Sequence, residues 1–99
     1  MPYISPEDRA LLEPVQEALS ETGVQTAGEA QYVIAMVIGE YLKSHPYRYQ
    51  TMNDIMGALS GAQQEFYRRH VADYEDVCIG KNGDVPNYGV KANNKQGEY

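Results

Sequence analysis

The densest cluster of charged and aromatic residues in this sequence lies around two adjacent arginines, Arg68 and Arg69. The guanidinium group is a planar fork that binds phosphate or carboxylate through two charge-assisted hydrogen bonds. Nearby tyrosines offer faces for stacking, and a turn such as Asn82-Gly83 can present backbone N–H groups to an anion. We therefore predict a site for an anionic, nucleotide-like ligand, formed by Arg68, Arg69, Tyr74, Lys81, Asn82 and Arg48.

The same cluster also permits a purely structural interpretation, in which its charges form ion pairs along a helix. Glu65 precedes Arg68 by three residues and Arg69 by four, the spacings at which helical side chains meet. Each such pair stabilises a helix by about 0.2–0.5 kcal/mol. Arg69 has a second carboxylate at Asp73, so we expect Arg68 to be the freer donor. A surface for a partner protein is a third interpretation, and all three remain open.

Motifs for catalysis or metal binding are absent from the sequence. His45 and His70 are the only histidines, and neither has two further ligands at a recognisable metal-site spacing. The single cysteine, Cys78, excludes a disulfide within the chain and a cysteine-based zinc site. No Walker loop, GxGxxG or HExxH motif occurs. We predict a protein that uses no cofactor or metal and is not an enzyme; a small enzyme is kept as the last hypothesis.

The charge of the chain is uneven along its length. Residues 1–42 carry seven acidic side chains and one arginine, a net charge of −6, whereas residues 43–99 carry seven of each sign. An acidic first half repels phosphate backbones, so we do not expect nucleic acid as a partner. The acidic half is instead suited to a basic protein surface. The alternative function is therefore inhibition of a host factor through protein–protein interaction.

The length and the apolar pattern favour one small cytoplasmic domain. The 99 residues suffice for a single domain of marginal stability. No apolar run approaches the roughly 18 residues of a membrane span, and the first residues show no signal peptide. We expect a cytoplasmic protein with no membrane partner.

The elements that must position these residues are helices. A first helix begins after the cap Ser5 and is kinked or split near Pro14. A second helix opens with the capping box Thr26–Glu29, and a third begins near Thr51 and runs into the 70s. We predict an all-α fold of three main helices. The helical spacing predicts a core formed by Leu11, Val15, Leu19, Val33, Ile34, Val37, Ile38, Tyr41, Ile55, Leu59 and Phe66.

The third helix and the end of the chain predict self-association. The helix carries two apolar rows, and the small residues Gly57 and Gly61 let another backbone approach closely. Two rows on one helix indicate two packing partners or a break between them. We divide the chain into a helical domain, residues 1–80, and an extended Gly/Asn/Lys-rich tail, residues 81–99. We expect a homo-oligomer in which Tyr88 and Tyr99 anchor the tail on a neighbour.

Seven stretches together carry a resemblance to a known family: Met1–Ile4, Glu7–Arg9, Gly28–Tyr32, Asn53–Leu59, Glu65–Arg69, Tyr74–Asp76 and Asn82–Val85. Over about residues 1–85 the chain resembles a family of short, uncharacterised proteins common in bacteriophage genomes. It departs from that pattern after Val85, and at Val77-Cys78, where charged residues are expected. The resemblance implies a phage origin and a fold, but no activity. By analogy with other small phage proteins, it also implies an anti-defence role, such as sequestering a nucleotide signal in the host cytoplasm.

Overall fold

A computed structural model describes residues 2–89 of the chain, and these residues form helices joined by short connections. The all-α prediction is confirmed, and the described residues contain no strand. The helices are α1 (Pro6–Leu11), α2 (Glu13–Thr22), α3 (Ala27–Lys43), α4 (Tyr49–Phe66) and α5 (Ala72–Asn82), and a π-helical turn, Tyr67–Val71, links α4 to α5.

The first predicted helix is split into α1 and α2. Ser5 caps α1, its hydroxyl accepting a hydrogen bond from the backbone N–H of Asp8 at 3.3 Å. Leu12 separates the two helices, and Pro14 lies in the first turn of α2, where its missing N–H has no helical partner to lose. The break near Pro14 is thus confirmed.

Helix α3 is fixed at both ends by side-chain hydrogen bonds. The hydroxyl of Thr26 accepts from the backbone N–H of Glu29 at 3.0 Å, and the Glu29 carboxylate accepts from the backbone N–H of Gln25 at 2.9 Å. This is the predicted capping box, except that the Glu29 carboxylate accepts from the N–H of Gln25 and not from that of the N-cap residue Thr26. At the other end the His45 ring stacks on Tyr41 with the ring centroids 3.8 Å apart.

The third predicted helix is longer than expected and changes its winding. The π-helical turn Tyr67–Val71 lies between the two apolar rows, and it is the kind of break that the sequence allowed. Beyond it α5 continues through Lys81 and Asn82, the first two residues of the predicted tail. Gly83 then ends the helix at a φ of 86°, a conformation that favours glycine.

The predicted hydrophobic core is wrong, because no large apolar side chain in residues 2–89 is fully buried. Leu11 is 77% exposed and Phe66 60%. The buried side chain is that of Thr51, 4% exposed, whose hydroxyl donates to the backbone oxygen of Pro46 at 2.6 Å. The apolar stripes have formed, but no other element of the described chain covers them. Six of the predicted core residues are exposed, namely Leu11, Val15, Ile34, Val37, Leu59 and Phe66, and five are half-buried, namely Leu19, Val33, Ile38, Tyr41 and Ile55.

Contacts between Cα atoms divide the chain into two units, Met1–Gln63 and Gln64–Tyr99. The predicted division between residues 80 and 81 stays a prediction, as does self-association. Tyr88 is exposed, and Tyr99 lies outside the described residues. Within residues 2–89, every helix is too short or too polar to cross a membrane.

Candidate functional site

The predicted arginine cluster lies at the π-helical turn of the second unit. Arg68 forms a two-point ion pair with Glu65: its Nε lies 2.5 Å from Oε1 and its Nη2 lies 3.1 Å from Oε2. This is one of the pairs that the structural interpretation predicts. Arg68 was expected to be the freer donor because it has one carboxylate neighbour, and that neighbour engages two of its N–H groups. The Arg68 side chain is nonetheless 70% exposed.

The π-helical turn carries both arginines and His70. In a π-helix the backbone N–H bonds to the carbonyl five residues earlier, and here the N–H of Ala72 bonds to the Tyr67 oxygen. Such turns are rare in proteins and are frequent at functional sites. The ring of His70 packs against Phe66, one turn earlier, with centroids 5.3 Å apart.

A hydrogen bond across the π-helical turn shows how the turn changes the register of the helix. The hydroxyl of Tyr67 donates to the carboxylate of Glu75, eight residues further on. In a regular α-helix residues seven apart share a face, because seven residues make nearly two turns. The turn adds one residue, so across it residues eight apart share a face. The Glu75 acceptor and its negative charge hold the Tyr67 hydroxyl proton and raise the pKa of Tyr67 above its usual value of 10.0.

The same register sorts the predicted site residues into two sides of the helix. Arg69 lies eight residues before Val77, which is three residues after Tyr74 and four before Lys81. Tyr74 and Lys81, seven residues apart, share one face of α5, and Arg69 precedes Tyr74 by five residues within the π-helical turn; we call these three residues the α5 strip. Tyr74 and Lys81, both exposed, stand about 10.5 Å apart along the axis.

Arg68, Asn82 and Arg48 lie away from the α5 strip or in the other unit. The eight-residue register aligns Arg68 with Asp76, which is roughly 160° around the helix from Tyr74. Asn82 lies about 100° around the helix from Lys81. Arg48 is exposed at the start of α4 in the first unit, Met1–Gln63. The structure thus puts two of the six predicted residues, Tyr74 and Lys81, on one face of α5, with Arg69 in the π-helical turn before them.

A second candidate surface, not predicted from the sequence, is an apolar groove between α2 and α3. The α2–α3 groove has a volume of about 1170 Å³, and it is lined by Val15, Ala18, Leu19, Tyr32, Val33, Met36 and Val37, with Glu29 and Glu40 at its rim. Several of these residues are predicted core residues. The helical spacing that signalled a core therefore marks an open groove, and a sequence pattern alone does not distinguish the two.

Metal-ligating side chains do not converge in the described part of the chain. Among residues 2–89, no three His, Cys, Asp or Glu side chains are grouped to hold a metal ion. The thiol of Cys78 is half-buried on α5. Neither surface, the α5 strip or the α2–α3 groove, includes a nucleophile paired with a base. The α5 strip offers charged and aromatic groups that can bind a ligand, and the α2–α3 groove offers an apolar surface.

The comparison with protein families supports the resemblance drawn from the sequence. A family model described as "Domain of unknown function (DUF6899)" matches residues 1–85. The match ends at Val85, where the resemblance also ended. No curated protein and no solved structure matches the chain. The family description states no activity, ligand or partner.

Proposed function

Because the chain belongs to the DUF6899 family, a family described without an activity, we propose its function from its own surfaces. The protein is a non-enzymatic binder that sequesters an anionic, nucleotide-like ligand, and it works as a homo-oligomer. The observation that carries this proposal is the α5 strip, where a cationic fork, an exposed aromatic ring and a second cation follow one another along the helix. These are the groups that recognise a phosphate, a base and a second phosphate.

The position of the strip next to the π-helical turn supports this reading. Arg69 lies within the turn, five residues before Tyr74, and Arg68 lies eight residues before an acidic residue, Asp76. The strip is extended rather than enclosed, and the 10.5 Å between Tyr74 and Lys81 suits a long ligand such as a dinucleotide. We further infer a phage origin and an anti-defence role in the host cytoplasm, as the sequence resemblance implies.

Isothermal titration calorimetry tests the ligand. The full chain is titrated with a panel of cyclic dinucleotides, ADP-ribose derivatives and inorganic phosphate. Replacing Arg69 by Lys keeps the charge but removes the two-point fork, so binding should weaken by about 1–2 kcal/mol, or roughly 5–30-fold. Arg68→Lys should have a smaller effect, and Arg9→Lys, the same change in the other unit, should have none.

The outcomes of the titration separate the possible sites. A loss on Arg68→Lys with no loss on Arg69→Lys would keep the ligand but move the site to the opposite face of the helix. Absence of binding by the wild type to every compound at about 10 μM would overturn the proposed ligand.

A second candidate function is inhibition of a host protein by the acidic half of the chain. All seven acidic side chains of residues 1–42 are exposed. An acidic surface of this kind attracts basic partners, and such binding weakens as salt screens the charges. A host protein that is retained by the immobilised chain at low salt and released by 500 mM salt would favour this function. The charge-reversed variant Glu17→Lys, Glu21→Lys should retain less of it.

A further inference from the structure

The π-helical turn Tyr67–Val71 lies between two stretches of regular α-helix. Phe66 before it has φ −61° and ψ −45°, and Ala72 after it has φ −60° and ψ −43°, both typical of an α-helix. The turn contains neither proline nor glycine, so its own residues permit the α-helical winding as well. Because π-helical turns are rare, a side-chain interaction that favours the π-helical winding is expected here.

The hydrogen bond from Tyr67 to Glu75 favours the π-helical winding over the α-helical one. In a continuous α-helix eight residues turn through about 800°, so the two side chains would lie about 80° apart around the axis. The residue added by the turn brings them onto one face, where the hydroxyl donates to the carboxylate. Two further contacts do not discriminate between the windings. The Arg68–Glu65 ion pair and the ring contact of His70 join residues three and four apart, spacings that an α-helix also brings together.

We infer that the Tyr67–Glu75 bond holds the turn in the π-helical winding, and that loss of this bond converts the turn to α-helix. On conversion, the backbone N–H of Ala72 exchanges the Tyr67 oxygen for the oxygen of Arg68, four residues before it. Helices α4 and α5 then form one continuous helix. Since this winding lacks the added residue, α5 rotates by about 100° relative to Phe66.

The rotation affects the α5 strip, and this part of the inference rests on the proposed function. Arg69 lies within the turn, whereas Tyr74 and Lys81 lie beyond it on α5. A change of winding therefore moves the ring and the second cation relative to the cationic fork. A ligand that contacts all three groups fits one winding better than the other, so its affinity depends on which winding is populated. Tyr67 and Glu75 are thus positioning residues, which act on the ligand through the helix.

Nuclear magnetic resonance of the full chain without ligand tests the winding. Scalar coupling across hydrogen bonds identifies the oxygen that accepts from the Ala72 N–H. It should be that of Tyr67 in the wild type and that of Arg68 in Tyr67→Phe, which lacks the hydroxyl but keeps the ring. Glu75→Ala should give the same change, whereas Glu75→Gln, which keeps an acceptor oxygen, should retain the wild-type bond. Tyr74→Phe, the same substitution outside the bond, should also retain it.

Helicity separates a change of winding from unfolding. The circular dichroism of Tyr67→Phe should match that of the wild type, because the α-helical winding keeps the turn helical. A wild-type Ala72 bond in Tyr67→Phe would overturn the inference, and so would a loss of helicity in that variant.

Calorimetry tests the positioning role separately. Since the proposed site is built on the π-helical winding, Tyr67→Phe should weaken the binding of a cyclic dinucleotide by about fivefold or more. Tyr47→Phe, the same change in the first unit, should leave the binding unchanged. Unchanged binding in Tyr67→Phe would exclude the positioning role. If the wild type binds no compound of the panel, the proposed function fails, and the acceptor of the Ala72 bond still decides the inference about the winding.

Discussion

At the scale of single residues, the bond between Tyr67 and Glu75 is the sharpest detail of the second unit, Gln64–Tyr99. It crosses the π-helical turn, and it exists because the added residue aligns positions eight apart. The bond requires the phenol to keep its proton, since the carboxylate only accepts. The Glu75 hydrogen bond and charge accordingly raise the pKa of Tyr67.

The pH dependence of stability follows from this shift. A group whose pKa is higher in the folded chain stabilises the fold fully below its unfolded pKa, near 10 for tyrosine. The contribution is then lost as the pH rises through the folded value. We expect Tyr67→Phe to be less stable than the wild type at pH 8, and the difference to shrink above pH 10.

Ultraviolet titration of tyrosinate checks the same bond independently. Tyr67→Phe should remove a component that titrates above the usual range, and the control Tyr74→Phe should leave that component in place. Equal curves for the two variants would show that Tyr67 is not held by Glu75.

The sequence predicted well at single residues where one side chain contacts its own backbone neighbours. The Ser5 cap and the Thr26–Glu29 capping box each depend on groups three residues apart, and both are present. Arg68 was assessed less well. Its ion pair with Glu65 was foreseen, but its position relative to Tyr74 was not, because that position depends on the winding of the intervening turn.

At the scale of elements, the helices were predictable and the π-helical turn was not. Apolar spacing and caps mark where α1 and α3 begin, whereas the segment Tyr67–Val71 contains no residue type that specifies i+5 bonding. The core failed for a different reason. Helical spacing identifies which face is apolar, but what covers that face depends on contacts between distant residues or between chains.

The helical glycines test whether anything covers α4. A Cβ built on Gly57 meets nothing within 4 Å among the described residues, and the same holds at Gly80 in α5. Alanine is favoured over glycine in a helix by about 0.8–1.0 kcal/mol. We therefore expect Gly57→Ala and Gly80→Ala each to raise the free energy of unfolding by roughly that amount, measured by urea denaturation at one protein concentration.

A loss of stability on Gly57→Ala would also be informative. If Gly57→Ala destabilises the protein while Gly80→Ala stabilises it, another backbone lies on Gly57, as its small size suggested from the sequence. Helix α4 would then provide an interface.

At the scale of the whole molecule, we expect the stability of the fold to depend on assembly. Most apolar surface of the first unit is available for a partner, so the native state of a lone chain gains little from burial. The sequence already predicted a homo-oligomer, from the two apolar rows of its third helix. Within residues 2–89, helix α3 exposes apolar side chains both in the α2–α3 groove, namely Tyr32, Met36 and Val37, and on its far side at Ile34.

Thermal unfolding should therefore depend on protein concentration. A dimer that unfolds to separate chains gains about 1.4 kcal/mol of stability for each tenfold rise in concentration. For two chains of this length, that corresponds to a rise in the unfolding midpoint of about 3–6 °C. Circular dichroism between about 1 and 100 μM checks the prediction, and a midpoint that stays constant over this range would contradict it.

Truncation of the chain after Val85 tests whether assembly depends on the family domain or on the residues that follow it. The shortened chain retains α5, which ends at Asn82, and the whole segment matched by the family, so its helicity should be nearly unchanged. If Tyr88 and Tyr99 anchor the tail on a neighbour, the shortened chain should assemble more weakly, and its unfolding midpoint should be lower at every concentration. The slope against concentration should nonetheless persist, because the exposed apolar surface of residues 2–63 is unchanged. Loss of the slope would assign the assembly to the tail, and an unchanged midpoint would show that the tail is dispensable.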